Sequence, residues 1–233
     1  MTSNPPQPAA EGLVLTVAGT GEELRLTDFD LVVAGYTGRD EESVRKHIDE
    51  LAAIGVPAPD SVPAFYPMEA ELATQKADFT VTGTYTSGEV EPVLVRHGGR
   101  LFLGVGSDHT DRDLERESVA GSKAACPKPL STTVVELPAN AAFDWDAVRA
   151  ECSVDGTAYQ RGTLEALRVP TEVLALHDAA SPTDEHRSLV MFCGTLPLLE
   201  GEFTAGSSWE LSLTLSDGTA IRHAYTVAVP ATI

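Results

Sequence analysis

The sequence predicts an α+β fold that is mainly β, with a few flanking helices. Short runs of alternating or β-branched apolar residues recur along the chain and greatly outnumber segments with helical periodicity. The breaks between them are Gly-rich, with Gly98-Gly99, Asp155-Gly156 and Asp217-Gly218 each suited to a hairpin turn. With 233 residues, 42% of them apolar and 6% aromatic, the chain can bury a sizeable core.

Taken in order, residues 1–10 are Pro-rich and polar and are expected to be a disordered tail, with residues 11–233 as one domain. Gly12–Val17 and Glu23–Leu26 read as a hairpin forming a small edge sheet. Leu31–Tyr36 is a short apolar strand that leads into Asp40, a cap for a helix with Glu41 and Glu42 in its first turn. Val44, Ile48 and Leu51 give that helix a buried stripe. Residues 61–75 carry the aromatic pair Phe65 and Tyr66 beside prolines and then a short helix-like run. Either a pocket wall or core packing would use such aromatics. Phe79–Thr86 is a β-branched strand, and Val93–Val95 and Leu101–Gly106 are the arms of a hairpin about Gly98-Gly99. Residues 118–130 read as loop, 131–137 as a strand and 141–150 as a short helix. A hairpin about Asp155-Gly156 follows, with a helix starting near Thr163. Val190–Cys193 is an apolar strand delivering Gly194-Thr195, and a hairpin about Asp217-Gly218 closes the chain.

The formal charge of −19 argues against a nucleic-acid backbone or an anionic membrane as the main partner, because both need a basic surface. Cys126, Cys152 and Cys193 are odd in number and lack metal spacing, so free thiols and a reduced, cytoplasmic setting are expected. No apolar run approaches the roughly 20 residues that span a bilayer. The N-terminus lacks the basic and apolar regions of a secretory signal, and no internal repeat is apparent.

The most informative stretch runs from Ser87 to Asp113. A strand through Glu89-Val90-Glu91 aims both carboxylates to one face, and the hairpin that follows returns Asp108 to the same end. Three carboxylates on a rigid sheet suit a hard cation such as Mg²⁺, Mn²⁺ or Ca²⁺, whereas Zn²⁺ more usually recruits His or Cys. An alternating Glu pair is equally what a solvated strand face carries in an acidic chain. Arg112 and Lys123 would supply the positive charge that an anionic substrate requires. His47 and Glu50 lie three apart on the early helix, the spacing of a water-activating dyad and also of an incidental surface pair. The Thr195 hydroxyl with adjacent backbone N–H groups can hold a carboxylate, or can merely end a strand.

These segments resemble the fumarylacetoacetate hydrolase superfamily, and a bacterial branch filed as a domain of unknown function looks nearest. That superfamily carries Gly-Glu-x-Glu, then Asp-x-x-Ala-Arg-Asp, a lysine, a Cys-Pro turn and a later Gly-Thr-Pro turn. Gly88–Glu91, Asp108–Asp113, Lys123 with Cys126-Pro127, and Gly194–Pro197 follow in the same order, and the patchy likeness spans residues 30–215. His47–Glu50 after Gly35-Tyr36 resembles the superfamily's His-x-x-Glu after Gly-x-x-Tyr, and Gln160–Thr163 its Gln-x-Gly-x-Thr hairpin.

The resemblance implies a mixed, rolled β-sheet, a single catalytic domain and a homodimer. It implies Mg²⁺ or Mn²⁺ on Glu89, Glu91 and Asp108, with His47, Glu50 and Lys123 as catalytic groups. Arg112, Thr195, Tyr36 and Gln160 would meet a small carboxylate substrate. The implied reaction is hydrolysis of a carbon–carbon bond in an acylpyruvate-like or 1,3-dicarbonyl compound. Decarboxylation, hydration and tautomerisation are alternatives, as is a non-catalytic β-rich binding module. One departure stands out. Between Glu91 and Asp108 there is room only for a hairpin where the superfamily usually adds a helix, and the segment from Asp113 to Lys123 is short too. Asp111 or Asp113 therefore competes with Asp108 as third ligand, and Lys128 with Lys123 as the cation.

Overall fold

The structure, a computed structural model, describes residues 12–53, 55–139, 142–181 and 187–229, so the predicted tail lies outside it. An eight-stranded sheet runs in the order Glu23–Leu26, Leu13–Val17, Thr133–Glu136, Arg100–Ser107, Val90–His97, Ser188–Phe192, Phe29–Gly35, Ala64–Met68. It is mixed: Leu13–Val17 runs parallel to Thr133–Glu136, and Ser188–Phe192 parallel to Phe29–Gly35. A five-stranded sheet, ordered Thr157–Thr163, Arg149–Val154, Ser208–Thr214, Ala220–Ala228, Asp78–Thr80, packs against one face of the first.

The alternation of side chains divides the core in two. Val93, Val95, Phe102, Leu31 and Val33 point to one side, into a cluster drawn almost wholly from the large sheet, which therefore curls around its own apolar face. Val90, Leu94, Leu103 and Val105 point to the other side, onto Trp209, Leu211 and Tyr225 of the smaller sheet. The strand Val90–His97 is consequently buried on both faces over most of its length, which explains its unbroken apolar run.

Several sequence expectations are corrected. The hairpin Leu13–Leu26 is present, but it forms the edge of the large sheet rather than a sheet of its own. The run after Ser61 is chiefly the strand Ala64–Met68, whose Pro67 is tolerated because the strand is the outermost one. Residues 79–86 are not one strand: Asp78–Thr80 joins the smaller sheet, and the chain bends before Thr86–Ser87. Within 141–150 the described residues form no helix, because the rings of Phe143 and Trp145, tilted with centres 4.5 Å apart, turn inward before the strand Arg149–Val154 begins. The turn after Thr163 is a single 3₁₀ turn, Leu164–Ala166.

Among the described residues four α-helices flank the sheets: α1 (Glu41–Ala53), α2 (Arg112–Glu115), α3 (Val119–Ala124) and α4 (Pro170–Ala180). Asp40 caps α1 through Ser43 and the Glu42 N–H, as expected. Val44 is buried and Ile48 half-buried on its inner stripe, while the Leu51 side chain lies outside the described set. The stretch read as loop over 118–130 contains α3, capped by Ser118, whose hydroxyl accepts the Gly121 N–H. Sequence reading passed over α4, although Pro170 at its first position and Glu172 in its first turn are start signals. Among the described residues no helix is long and apolar enough to cross a membrane.

Candidate functional site

The central hairpin, Val90–His97 paired with Arg100–Ser107 about Gly98-Gly99, builds the site. Its register places Val90 opposite Ser107 and Glu91 opposite Gly106, so Glu89 and Asp108, just beyond the paired residues, emerge side by side. Carboxylate oxygens of Glu89, Glu91 and Asp108 all lie within 4.8 Å of one another, and the three residues are 8%, 2% and 0% exposed. The competing acid Asp111 is spent elsewhere: its carboxylate caps α2, accepting the Asp113 and Leu114 N–H groups at 3.1 Å.

Each of the three acids has a separate support. The Glu91 carboxylate accepts the Gly194 N–H at 2.8 Å. Gly194 sits at φ +98°, and a Cβ there would overlap the Thr37 hydroxyl, so this approach requires glycine. The Glu89 backbone N–H donates to Ser107 Oγ at 2.9 Å, and its carboxylate meets Arg112 Nη2 at 3.2 Å. Asp108 is ion-paired to Lys123 through one oxygen and stands 3.1 Å from Lys128 Nζ through the other. The two lysines therefore share this anion. Lys123 faces the cavity, with Nζ 5.7 Å from the Tyr66 ring centre. Lys128 is fully buried and donates to the carbonyls of His109 at 2.7 Å, Cys126 at 3.0 Å and Lys123.

Electrostatics divide the acids. Burial pushes Glu91 well above the usual carboxylate range, and Asp108 and Glu89 add to this against the opposing pull of Lys123. Burial raises Glu89 as well, and Arg112 only partly offsets it. Asp108 is held low because Lys123 and Lys128 outweigh its burial, and Asp108 in turn keeps the buried Lys123 charged. The signs for stability are therefore opposite. The contribution of Asp108 is present above its ordinary value and is lost in acid. Ionising Glu89 and Glu91 weakens the fold as pH rises above about 4.5, unless a cation compensates.

A small hard divalent cation fits this donor set. Two carboxylate oxygens on opposite sides of one such ion lie about 4.2 Å apart, which small rotations of these side chains reach. Among the described residues this group of potential ligands is made of carboxylates alone, and Asp108 Oδ1 is buried without a hydrogen bond. Glu89, Glu91 and Asp108 are thus the residues that could hold such an ion.

Glu89, Glu91 and Lys123 line a cavity of about 960 Å³, while Asp108, fully buried, is paired with Lys123 and is not in the lining. Tyr36, Arg112, Thr195 and His47 also line it. Tyr36 occupies the left-handed region at φ +57°, a strained conformation for a tyrosine. His47 is exposed on α1, its ring 6.4 Å from that of Tyr36. Glu50 is exposed and pairs with Lys46 at 3.6 Å. Arg112 is 4% exposed, donates to Ser87 Oγ at 2.7 Å and to Glu115 at 3.0 Å, and stacks on Phe203 at 3.7 Å. The Thr195 hydroxyl donates to the Val90 carbonyl at 2.8 Å and accepts from the Gln160 amide at 2.8 Å. Gln160 lies behind this turn rather than in the cavity lining. Its amide also donates to Leu196 O at 2.6 Å and accepts the Val90 N–H at 2.8 Å, tying the turn to the strand that carries Glu91.

Sequence reasoning missed the groups behind the acids. His109 is buried and uncharged, pushed down to about 3 by burial and by the nearby Lys128 and Arg112. Its ring nitrogens meet Tyr225 Oη at 3.1 Å and Thr86 Oγ1 at 2.9 Å. The Tyr225 hydroxyl donates to Ser107 Oγ, and a Cβ at Gly88 would overlap it. The Arg112–Glu115 pair was readable from its i,i+3 spacing. Nothing in the Gly-rich segment around Phe203 signals its place on Arg112.

The rolled mixed sheet is that of the fumarylacetoacetate hydrolase fold. Fumarylpyruvate hydrolase from Pseudomonas aeruginosa, in complex with Mn²⁺ and pyruvate, superposes with a TM-score of 0.65 at 15% identity, over 98% of this chain and 100% of that one. The 5-carboxymethyl-2-hydroxymuconate delta-isomerase from Mycobacterium smegmatis gives 0.57 at 15% identity, over 91% and 84%. A 2-keto-3-deoxyarabinonate dehydratase gives 0.54 at 14% identity, over 88% and 76%. At such identities the likeness is one of fold. Among curated proteins none matches the sequence. The chain belongs to the family described as "Protein of unknown function (DUF2848)", whose model matches residues 34–225.

Proposed function

We propose that the protein is an enzyme that binds Mg²⁺ or Mn²⁺ on Glu89, Glu91 and Asp108 and hydrolyses a carbon–carbon bond in a small oxo-acid, acylpyruvate-like or 1,3-dicarbonyl. The observation that carries this reading is the meeting of three buried carboxylates, two of them lining a large cavity, with a charged lysine beside them. Fold relatives that are a hydrolase, an isomerase and a dehydratase support enzyme status, and the one bound to Mn²⁺ and pyruvate supports the ligand class. A bound cation would supply Lewis-acid stabilisation of the enolate charge that develops as the bond breaks.

In this reading the chain's own groups divide the remaining work. Lys123, kept charged by Asp108, stabilises the oxyanion formed on the carbonyl under attack. His47 takes a proton from water, and Glu50 turns from its exposed, weak contact with Lys46 to orient the imidazole. Arg112, Tyr36 and Thr195 line the place for the substrate carboxylate, while Gln160 positions the Gly194-Thr195 turn. A homodimer and a cytoplasmic setting belong to the same reading.

The test is turnover of acylpyruvates with Mn²⁺ by two variants. Glu89→Ala is expected to abolish measurable activity. His47→Ala is expected to lower kcat by about 10²–10⁴-fold. Because His47 is exposed, its variant should unfold at the wild-type temperature. Full turnover by His47→Ala beside an inactive Glu89→Ala would replace hydrolysis by decarboxylation or tautomerisation.

A further inference from the structure

We propose that the substrate carries one carboxylate, bound at the floor of the cavity, and that the part of it reaching the mouth is uncharged. This deepens the function proposed above and rests on it. The floor is buried and holds Glu89, Glu91, Arg112 and Lys123. The mouth is exposed and carries Arg39, Asp40 and Glu165, from the loop before α1 and the 3₁₀ turn Leu164–Ala166.

A second carboxylate at the mouth would need a cation to receive it. Among the described residues Arg39 is the one exposed lysine or arginine in the lining, and it is already used: its guanidinium forks onto Asp146 at 2.6 and 3.0 Å, and Nε donates to the Leu167 carbonyl at 2.9 Å. At the floor, Arg112 is held by Glu89, Glu115 and Ser87, and Lys123 by Asp108. The whole lining carries five carboxylates against three such cations, an excess of two negative charges that one divalent cation would cancel. Nothing is left over for a second anion. Leu167, Leu198 and Phe203 also line the cavity and suit an apolar chain.

The test is calorimetric titration of the Mn²⁺-loaded protein with 2-oxohexanoate and with 2-oxoadipate, which have the same length and differ in a terminal methyl or carboxylate. 2-Oxohexanoate is expected to bind about tenfold more tightly, and Glu165→Lys, a change at an exposed position, to narrow that ratio by strengthening 2-oxoadipate. Equal or tighter binding of 2-oxoadipate by the wild type would overturn the inference and leave the oxo-acid reading standing. No Mn²⁺-dependent binding of either acid would remove both.

Discussion

Asp108→Asn is expected to cost about 3–5 kcal/mol of stability, the largest loss foreseen for an isosteric change in this chain. Asp108 is fully buried and is the anion shared by Lys123 and Lys128, so the amide leaves two buried ammonium groups without their countercharge. Lys128 suffers most, since burial already works against its charge and its other partners are neutral carbonyls. Urea unfolding of Asp108→Asn, Lys123→Met and the double variant measures this. The double variant should be more stable than the sum of the two single losses predicts, because removing Lys123 removes one orphaned cation. A loss below about 1 kcal/mol in Asp108→Asn would show that the lysines are neutral in the fold.

Trp209→Ala is the second large effect. The indole is fully buried, donates to the Gly206 carbonyl at 3.2 Å, and contacts the rings of Tyr159, His109 and Tyr225 with centres 5.5, 5.7 and 6.3 Å away. It also roofs Gly88, whose missing Cβ would sit 3.0 Å from it. Truncation removes the packing between the two sheets directly behind Glu89. A loss of about 3–5 kcal/mol follows, seen as a fall in Tm of roughly 10 °C. A fall of only a degree or two would mean that the smaller sheet is not held by this cluster.

The convergence of the acids was legible because it depends only on local rules. Gly98-Gly99 sets the hairpin, the strand period fixes which residues share a face, and the register then returns Asp108 beside Glu89. The missing helix between Glu91 and Asp108 leaves the three-carboxylate group in place, because that group needs only the hairpin. Other parts depend on contacts far apart in sequence. Lys128 and Lys123 compete for one role in the sequence, and only the fold shows that both reach Asp108, with the carbonyls of Lys123 and Cys126 closing around Lys128. Asp144-Trp145-Asp146 suggests a helix, yet the pull of Trp145 into the core decides otherwise. Glu50, three residues from His47, is drawn instead to Lys46 at i−4, an equally local alternative that spacing alone does not rank.

The central claim is that Glu89, Glu91 and Asp108 together hold one divalent cation. Calorimetric titration of the chelator-treated protein with MnCl₂, followed by thermal unfolding, tests it most directly. The account predicts one Mn²⁺ per chain, affinity rising with pH as Glu89 and Glu91 give up their protons, and a stabilisation of about 2.7 kcal/mol at a hundredfold excess over Kd. Glu91→Gln should lose both the binding and the stabilisation. Wild-type protein that takes up no Mn²⁺ and unfolds at the same temperature with and without millimolar metal would contradict it.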